Sequence, residues 1–283
     1  MKKDTSGLNS VARIIIYVFL ILLAILSILP FYIMFVNATR STPEIQQRAL
    51  SLIPSTFLNF NIDNLLGRGA FNPLVGFRNS AIIATGASAL SVYFSSLTAY
   101  GIVAYDWKLK NVFFGFIMTI LLIPTTVATI GFFRFMSQMG LTNNLLPLIL
   151  PAMAAPTVVF FMRQYLQATL SLEIVEAARI DGSGEFSTFN RIILPIMKPA
   201  LATQAIFTFV ASWNNLFLPL IMLTRQDLFT MPIMVSLLSG DIYRTELGVI
   251  YLGLSMTVLP LFVVYFILSK YIIAGVALGG VKE

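Results

Sequence analysis

The chain has 283 residues, of which 58% are hydrophobic and 11% charged, with a mean hydropathy of +0.87 and a formal net charge of +6. Soluble domains carry about 25% charged residues, so this composition excludes an ordinary soluble fold. The absence of cysteine and histidine excludes disulfides, thiolate chemistry and nearly all zinc or iron sites. The basic residues are scattered between apolar blocks and form no stripe, which argues against a nucleic-acid partner.

Six uncharged apolar runs follow one another, at 14–36, 79–104, 111–133, 145–162, 199–224 and 247–269. Each is near the length of about 20 apolar residues that an α-helix needs to cross about 30 Å of hydrocarbon. The expected fold class is therefore all-α, a polytopic membrane protein with six transmembrane helices. The first run follows Met1-Lys2-Lys3 but is too long for a secretory signal, and reads as an uncleaved helix. With the N-terminus in the cytoplasm, eleven Lys and Arg fall on the inner side and seven Arg on the outer, and every lysine is inside. This positive-inside bias puts both termini in the cytoplasm. The longest outer connection, 37–78, is too short for a core of its own. Its Asn37-Ala38-Thr39 sequon is read as a chance match.

Within the second run Ala84, Ser88, Ser91 and Ser95 recur at helical spacing, which predicts a close helix-packing face. Pro124, Pro151, Pro156 and Pro260 interrupt later runs, and the carbonyls they free need protein or a watery cavity beside them. The fifth run is the most polar. Gln204, Thr208, Ser212 and Asn215 share one helix face, toward either a neighbouring helix or a translocation path. No run has Asp, Glu, Lys or Arg in its interior, which argues against a self-contained secondary carrier or channel. No phosphate-cradling P-loop is present either, so any ATP and Mg would be used by another subunit and none is expected to bind here. A membrane-embedded enzyme would need an acid or histidine cluster, and none fits.

One stretch breaks the apolar pattern: EAARIDGSGEFSTFNRIILP, residues 176–195. Ser171 is expected to cap a helix with Glu173 in its first turn. Gly182 should end that helix, and Ser183 should cap a second one starting near Glu185. On the first helix Glu173, Glu176 and Arg179 are expected on one side and Ile174, Ala177 and Ala178 on the other. By periodicity alone this is a solvated surface helix-turn-helix.

The residue order adds more. Glu176-Ala177-Ala178, Asp181-Gly182, Phe189, Ile192, Leu194-Pro195 and Pro199 resemble the EAA loop of ABC importer permeases, with Ser183-Gly184 where relatives often carry alanine. Ser212-Trp213-Asn214-Asn215 with Leu218-Pro219-Leu220, and the ending LSKYIIAGVALGGVKE, are similar to sugar importer permeases of the MalG type, although many of those carry Glu at the position of Asn215. The resemblance implies a type I ABC importer permease fold with these parts: N-terminal tail and first helix at 1–36, extracytoplasmic loop at 37–76, core permease domain at 77–270 containing a coupling loop at 168–198, and cytoplasmic tail at 271–283. It implies ATPase coupling through Glu176, Ala177, Ala178, Asp181, Gly182 and Pro195. It implies a path or carbohydrate contact at Gln204, Thr208, Ser212, Trp213, Asn214 and Asn215. A binding-protein contact at Ser239, Gly240 and Asp241, and a tail reaching the ATPase through Gly279, Gly280 and Lys282, follow in the same way. The implied partners are a second permease subunit, two ATPase subunits, an extracytoplasmic solute-binding protein, a carbohydrate and the lipid bilayer.

Overall fold

The computed structural model describes residues 10–69, 71–240 and 246–279, and every regular element among them is helical. Four helical stretches are long and apolar enough to cross a membrane: Val11–Asn37, Pro73–Val103, Leu146–Thr169 and Leu247–Ile267. A fifth is reached if the pair Glu185–Ile196 and Lys198–Trp213, bent by 81°, is counted as one. The third apolar run is not the single helix expected. It divides into two helices, Lys110–Ile120 and Thr125–Gln138, because Pro124 has no N–H to give and disfavours helix in the residue before it.

The chain forms two compact units, residues 1–71 with 235–258, and residues 72–234 with 259–283. The first contains α1 (Ser10–Asn37), α2 (Thr42–Gln47) and α3 (Leu58–Leu66). α1 is exposed within this chain over almost its whole length. The connection after it is ordered by polar side chains. Ser41 and Glu44 form a reciprocal capping box at the start of α2, which satisfies two orphan donors at once. The Arg40 guanidinium donates to the carbonyls of Arg48 at 2.6 Å and Glu44 at 2.8 Å. Asn61 is buried and donates to the carbonyls of Ala38 and Arg40 at 2.9 and 3.0 Å. Asn37 is buried as well, with its amide on the Ala49 carbonyl at 3.1 Å.

The second unit is built around α4 (Pro73–Val103), with α5 (Lys110–Ile120), α6 (Thr125–Gln138), α7 (Leu146–Ile149) and α8 (Pro156–Thr169) following it. Ala84, Ser88, Ser91 and Ser95 are all buried, so the small-residue stripe is a packing face as expected. Small side chains let helices approach closely in lipid. Next come α9 (Leu172–Ile180), α10 (Glu185–Thr188), a π-helical turn over Phe189–Ile193, α11 (Leu194–Ile196), α12 (Lys198–Trp213) and α13 (Phe217–Met222). α14 (Met231–Gly240) and α15 (Leu247–Gly279) follow, each divided between the two units. One core of this unit joins Tyr100, Val158, Met162, Leu166, Val175, Phe189, Ile193 and Met197. It lies directly beneath the charged segment.

Candidate functional site: the charged loop and the fifth apolar run

The charged segment is a short lever with a fixed bend. α9 has Glu173 in its first turn and Arg179 in its last, each the favourable sign for the helix dipole. It ends in a Schellman turn. The Ser183 N–H bonds the Ala178 carbonyl at 2.9 Å and the Gly182 N–H bonds the Arg179 carbonyl at 3.0 Å. Gly182 takes φ +77°, a left-handed conformation in which a Cβ would be strained. The glycine stop is as expected, but the two serine caps are not. Ser171 occupies the N-cap position of α9 without a side-chain cap bond, and Gly184 is the N-cap of α10. The Ser183 hydroxyl instead accepts from Thr188 Oγ1 at 3.0 Å.

The faces of α9 also differ from the expected division. Val175 and Ala178 are buried, whereas Glu173, Glu176, Ala177 and Ile180 lie exposed. Residues 173, 176, 177 and 180 form one i, i+3, i+4, i+7 surface, so Ala177 joins Glu176 on the outer face and Ala178 faces the core. Ile180 is 87% exposed, an apolar side chain left at the tip of the lever. Asp181 is exposed at the helix C-cap.

The inner side of the lever is keyed into α4. Phe189 is fully buried, and its ring lies 5.7 Å from both Tyr93 and Tyr100. The Tyr93 hydroxyl donates to Asn190 Oδ1 at 3.1 Å. The π-helical turn closes with the Leu194 N–H on the Phe189 carbonyl, and Pro195 follows immediately. A proline ring clashes with the carbonyl four residues back in a regular α-helix, and the widened turn stands where that clash would fall. Pro199 then sits in the first turn of α12.

A polar lock joins the lever to the loop after α4. Arg179 Nε donates to Glu185 Oε1 at 2.8 Å, and the Tyr105 hydroxyl donates to Glu185 Oε2. The Arg179 guanidinium also lies over the Tyr105 ring, 5.2 Å from its centre. The Tyr105 and Arg179 hydrogen bonds hold the Glu185 carboxyl below its ordinary range, and burial, with that carboxylate's help, pushes the Tyr105 phenol up. Tyr105 is the participant that sequence reasoning missed. Eighty residues separate it from Glu185, and neither periodicity nor motif spacing signals such a pairing.

The fifth run resolves into two kinds of residue. Thr208 Oγ1 and Ser88 Oγ are 2.9 Å apart, and Ser88 Oγ also donates to the Ala205 carbonyl at 2.9 Å. Gln204 is buried and Ser212 half-buried. Of the two directions open to this polar face, interhelical bonding is therefore realised at Thr208. Trp213 is 3% exposed and stacks with Phe209 at 5.6 Å and Phe77 at 6.4 Å, so its faces are occupied by this chain's own rings. Asn214 and Asn215 are exposed where α12 ends. Ser239 and Gly240 close α14, and Gly279 closes α15. Asp241, Gly280 and Lys282 lie outside the described residues.

Several helices of membrane-crossing length, with only helical elements among the described residues, define an all-α polytopic membrane protein. Residues 91–277 match the family described as binding-protein-dependent transport system inner membrane component. The arabinooligosaccharides transport system permease protein AraQ of Halalkalibacterium halodurans is 34% identical over 100% of both chains. The lactose transport system permease protein LacG of Rhizobium radiobacter is 33% identical over 95% of this chain and 96% of its own. A crystal structure of a bacterial ABC transporter involved in the import of the acidic polysaccharide alginate has a chain of the same fold, with a TM-score of 0.77 at 21% identity, covering 93% of this chain and 98% of that one. The chain belongs to the binding-protein-dependent transport system inner membrane component family, and is a multi-pass membrane permease of an ABC importer.

Proposed function

We propose that this chain is the membrane-spanning subunit of an ATP-driven carbohydrate importer, and that segment 168–198 is its coupling loop to a cytoplasmic ATPase. The observation that carries the coupling role is the lever itself. Its outer face presents Glu173, Glu176, Ala177 and Ile180, while Val175, Ala178, Phe189 and Ile193 root it in the core beneath. Small Ala177 beside Glu176 lets a partner approach closely while meeting a carboxylate. A stiff, capped element is what rigid-body transmission requires. ATP and Mg act in two separate ATPase subunits, and a second permease subunit supplies the other half of the path. An extracytoplasmic binding protein delivers the solute, and both termini lie in the cytoplasm. The carbohydrate class is supported by the named substrates of the arabinooligosaccharide and lactose relatives, and by exposed Asn214 and Asn215, whose amides suit sugar hydroxyls.

The test is co-expression with the cognate ATPase, partner permease and binding protein, followed by purification through a tag on this chain. Glu176→Lys and Gly182→Pro are compared with the wild type for ATPase recovery, ATP hydrolysis and sugar uptake in vesicles. Loss of coupled hydrolysis and uptake in both variants is expected. Uptake at the wild-type rate by both would sink the coupling role, and uptake without any ATPase would sink the importer reading.

A further inference from the structure

The connection between α1 and α3 carries an apolar tip. Leu50 is 81% exposed, Leu52 54% and Ile53 77%, and further along Phe57 and Phe60 are exposed too. No charged residue occurs from Ala49 through Ile62. A contiguous exposed patch of this kind marks a surface that meets something other than water.

The depth of the tip follows from its attachment. The apolar stretch Val11–Asn37 has 27 residues, about 40 Å of helix at 1.5 Å per residue, against about 30 Å of hydrocarbon. Its Asn37 end therefore stands among the headgroups. Tyr32, five residues earlier, lies about 7 Å nearer the bilayer centre, at the level where tyrosines concentrate. The Tyr32 hydroxyl donates to the Leu52 carbonyl at 2.9 Å. The tip is thus tied back down the side of α1 to the edge of the hydrocarbon, continuous with the exposed apolar surface of that helix.

Part of the backbone around the tip finds its partners within the protein. The carbonyls of Arg48 and Ala49 accept from Arg40 and Asn37 at 2.6 and 3.1 Å. The Ser51 hydroxyl accepts from the Ile53 N–H at 3.2 Å and donates to the Ile53 carbonyl at 3.3 Å. The Ser55 N–H bonds Thr39 Oγ1 at 2.9 Å and its hydroxyl bonds Glu44 Oε1 at 3.0 Å. Backbone that approaches the acyl chains needs partners of this kind in the protein. We infer that Leu50–Ile53 is a membrane wedge, seated in the acyl-glycerol region of the leaflet at the Asn37 end of α1, its occupant being phospholipid.

The cysteine-free chain makes the test direct. Leu50→Cys and Ile53→Cys, with Gln46→Cys as an exposed control on α2, are labelled with a bimane in the assembled transporter in lipid nanodiscs. Quenching by lipids carrying a nitroxide high on the acyl chain is compared with quenching by aqueous iodide. The wedge predicts several-fold stronger nitroxide quenching at residues 50 and 53 than at residue 46, and the reverse order for iodide. Iodide quenching at 50 and 53 equal to that at 46 overturns it. Shielding of both positions from both quenchers also overturns it, because a protein subunit would then cover the tip.

Discussion

Arg179 and Glu185 meet across the Gly182 turn, with the guanidinium Nε 2.8 Å from carboxylate Oε1. The pair closes the bend that the glycine opens, and Tyr105 ties the closed bend to the end of α4 through the second carboxylate oxygen. Both charged side chains are nearly half exposed, so solvent screens them and the pair alone contributes little. A double-mutant cycle of Arg179→Ala and Glu185→Gln, read by thermal unfolding of the purified transporter, is expected to give a correspondingly small coupling energy. A large one would mean the lock is fully desolvated in the assembly. Tyr105→Phe should leave subunit assembly unchanged and lower sugar moved per ATP hydrolysed.

The same lock sets a pH dependence. The Glu185 carboxyl is held below its ordinary value of 4.5 by Tyr105 first and Arg179 second. A carboxyl depressed on folding binds fewer protons folded than unfolded, so its stabilising contribution is fully present above pH 4.5 and fades as pH falls through the folded value. The difference in melting temperature between wild type and Glu185→Gln should therefore be flat from pH 7 to pH 5 and narrow below pH 4.5. A difference that widens on acidification would reverse the assigned sign.

Gly182 at φ +77° has open space where a Cβ would go, so strain rather than a clash decides its substitution. Gly182→Ala should cost about 1–2 kcal/mol locally. The sharper expectation is faster backbone hydrogen exchange at Gly182 and Ser183, whose amides close the turn, with the membrane helices unchanged. Uniform destabilisation of the whole chain would contradict a local role for the turn.

Residues whose partners lie nearby in sequence, or that repeat with a helical period, were legible in advance. The small-residue face of α4, the glycine stop after α9 and the polar face of α12 are of this kind. What failed depended on competition between local options. Ser183 could cap α10, but its hydroxyl is engaged by Thr188, and the cap falls to Gly184. Ala177 and Ala178 are the same residue type, so only the position of the core under Val175 decides which one faces out. The break at Pro124 was visible as a proline but was absorbed into a run defined by hydropathy alone. Tyr105 had no local signature at all.

Gly248 shows how far tertiary approach governs a single position. A Cβ there would run into the Arg40 carbonyl and stand 2.6 Å from Asn61 Nδ2. Both groups are committed, since Asn61 donates to that same carbonyl at 3.0 Å. Overpacking of this kind typically costs about 1–3 kcal/mol, and the loss of a buried hydrogen bond adds about 1 kcal/mol or more. Gly248→Ala should lower the melting temperature or the yield of folded protein, whereas Gly115→Ala, with nothing within 4 Å, should do neither.

Trp213 and its two neighbours separate packing from substrate contact. The indole is 3% exposed between Phe77 and Phe209, so its removal empties a filled site, and Trp213→Ala should cost about 3–5 kcal/mol of stability. Asn214 and Asn215 are exposed at the end of α12, and alanine at either should move stability by under ~0.5 kcal/mol. If the exposed amides meet the sugar in transit, Asn214→Ala and Asn215→Ala will lower uptake while leaving expression, ATPase recovery and melting temperature at wild-type values. Trp213→Phe, which keeps the ring stack, will restore most of the stability that Trp213→Ala loses and transport near the wild-type rate. Normal uptake in both asparagine variants would remove this end of α12 from the translocation path.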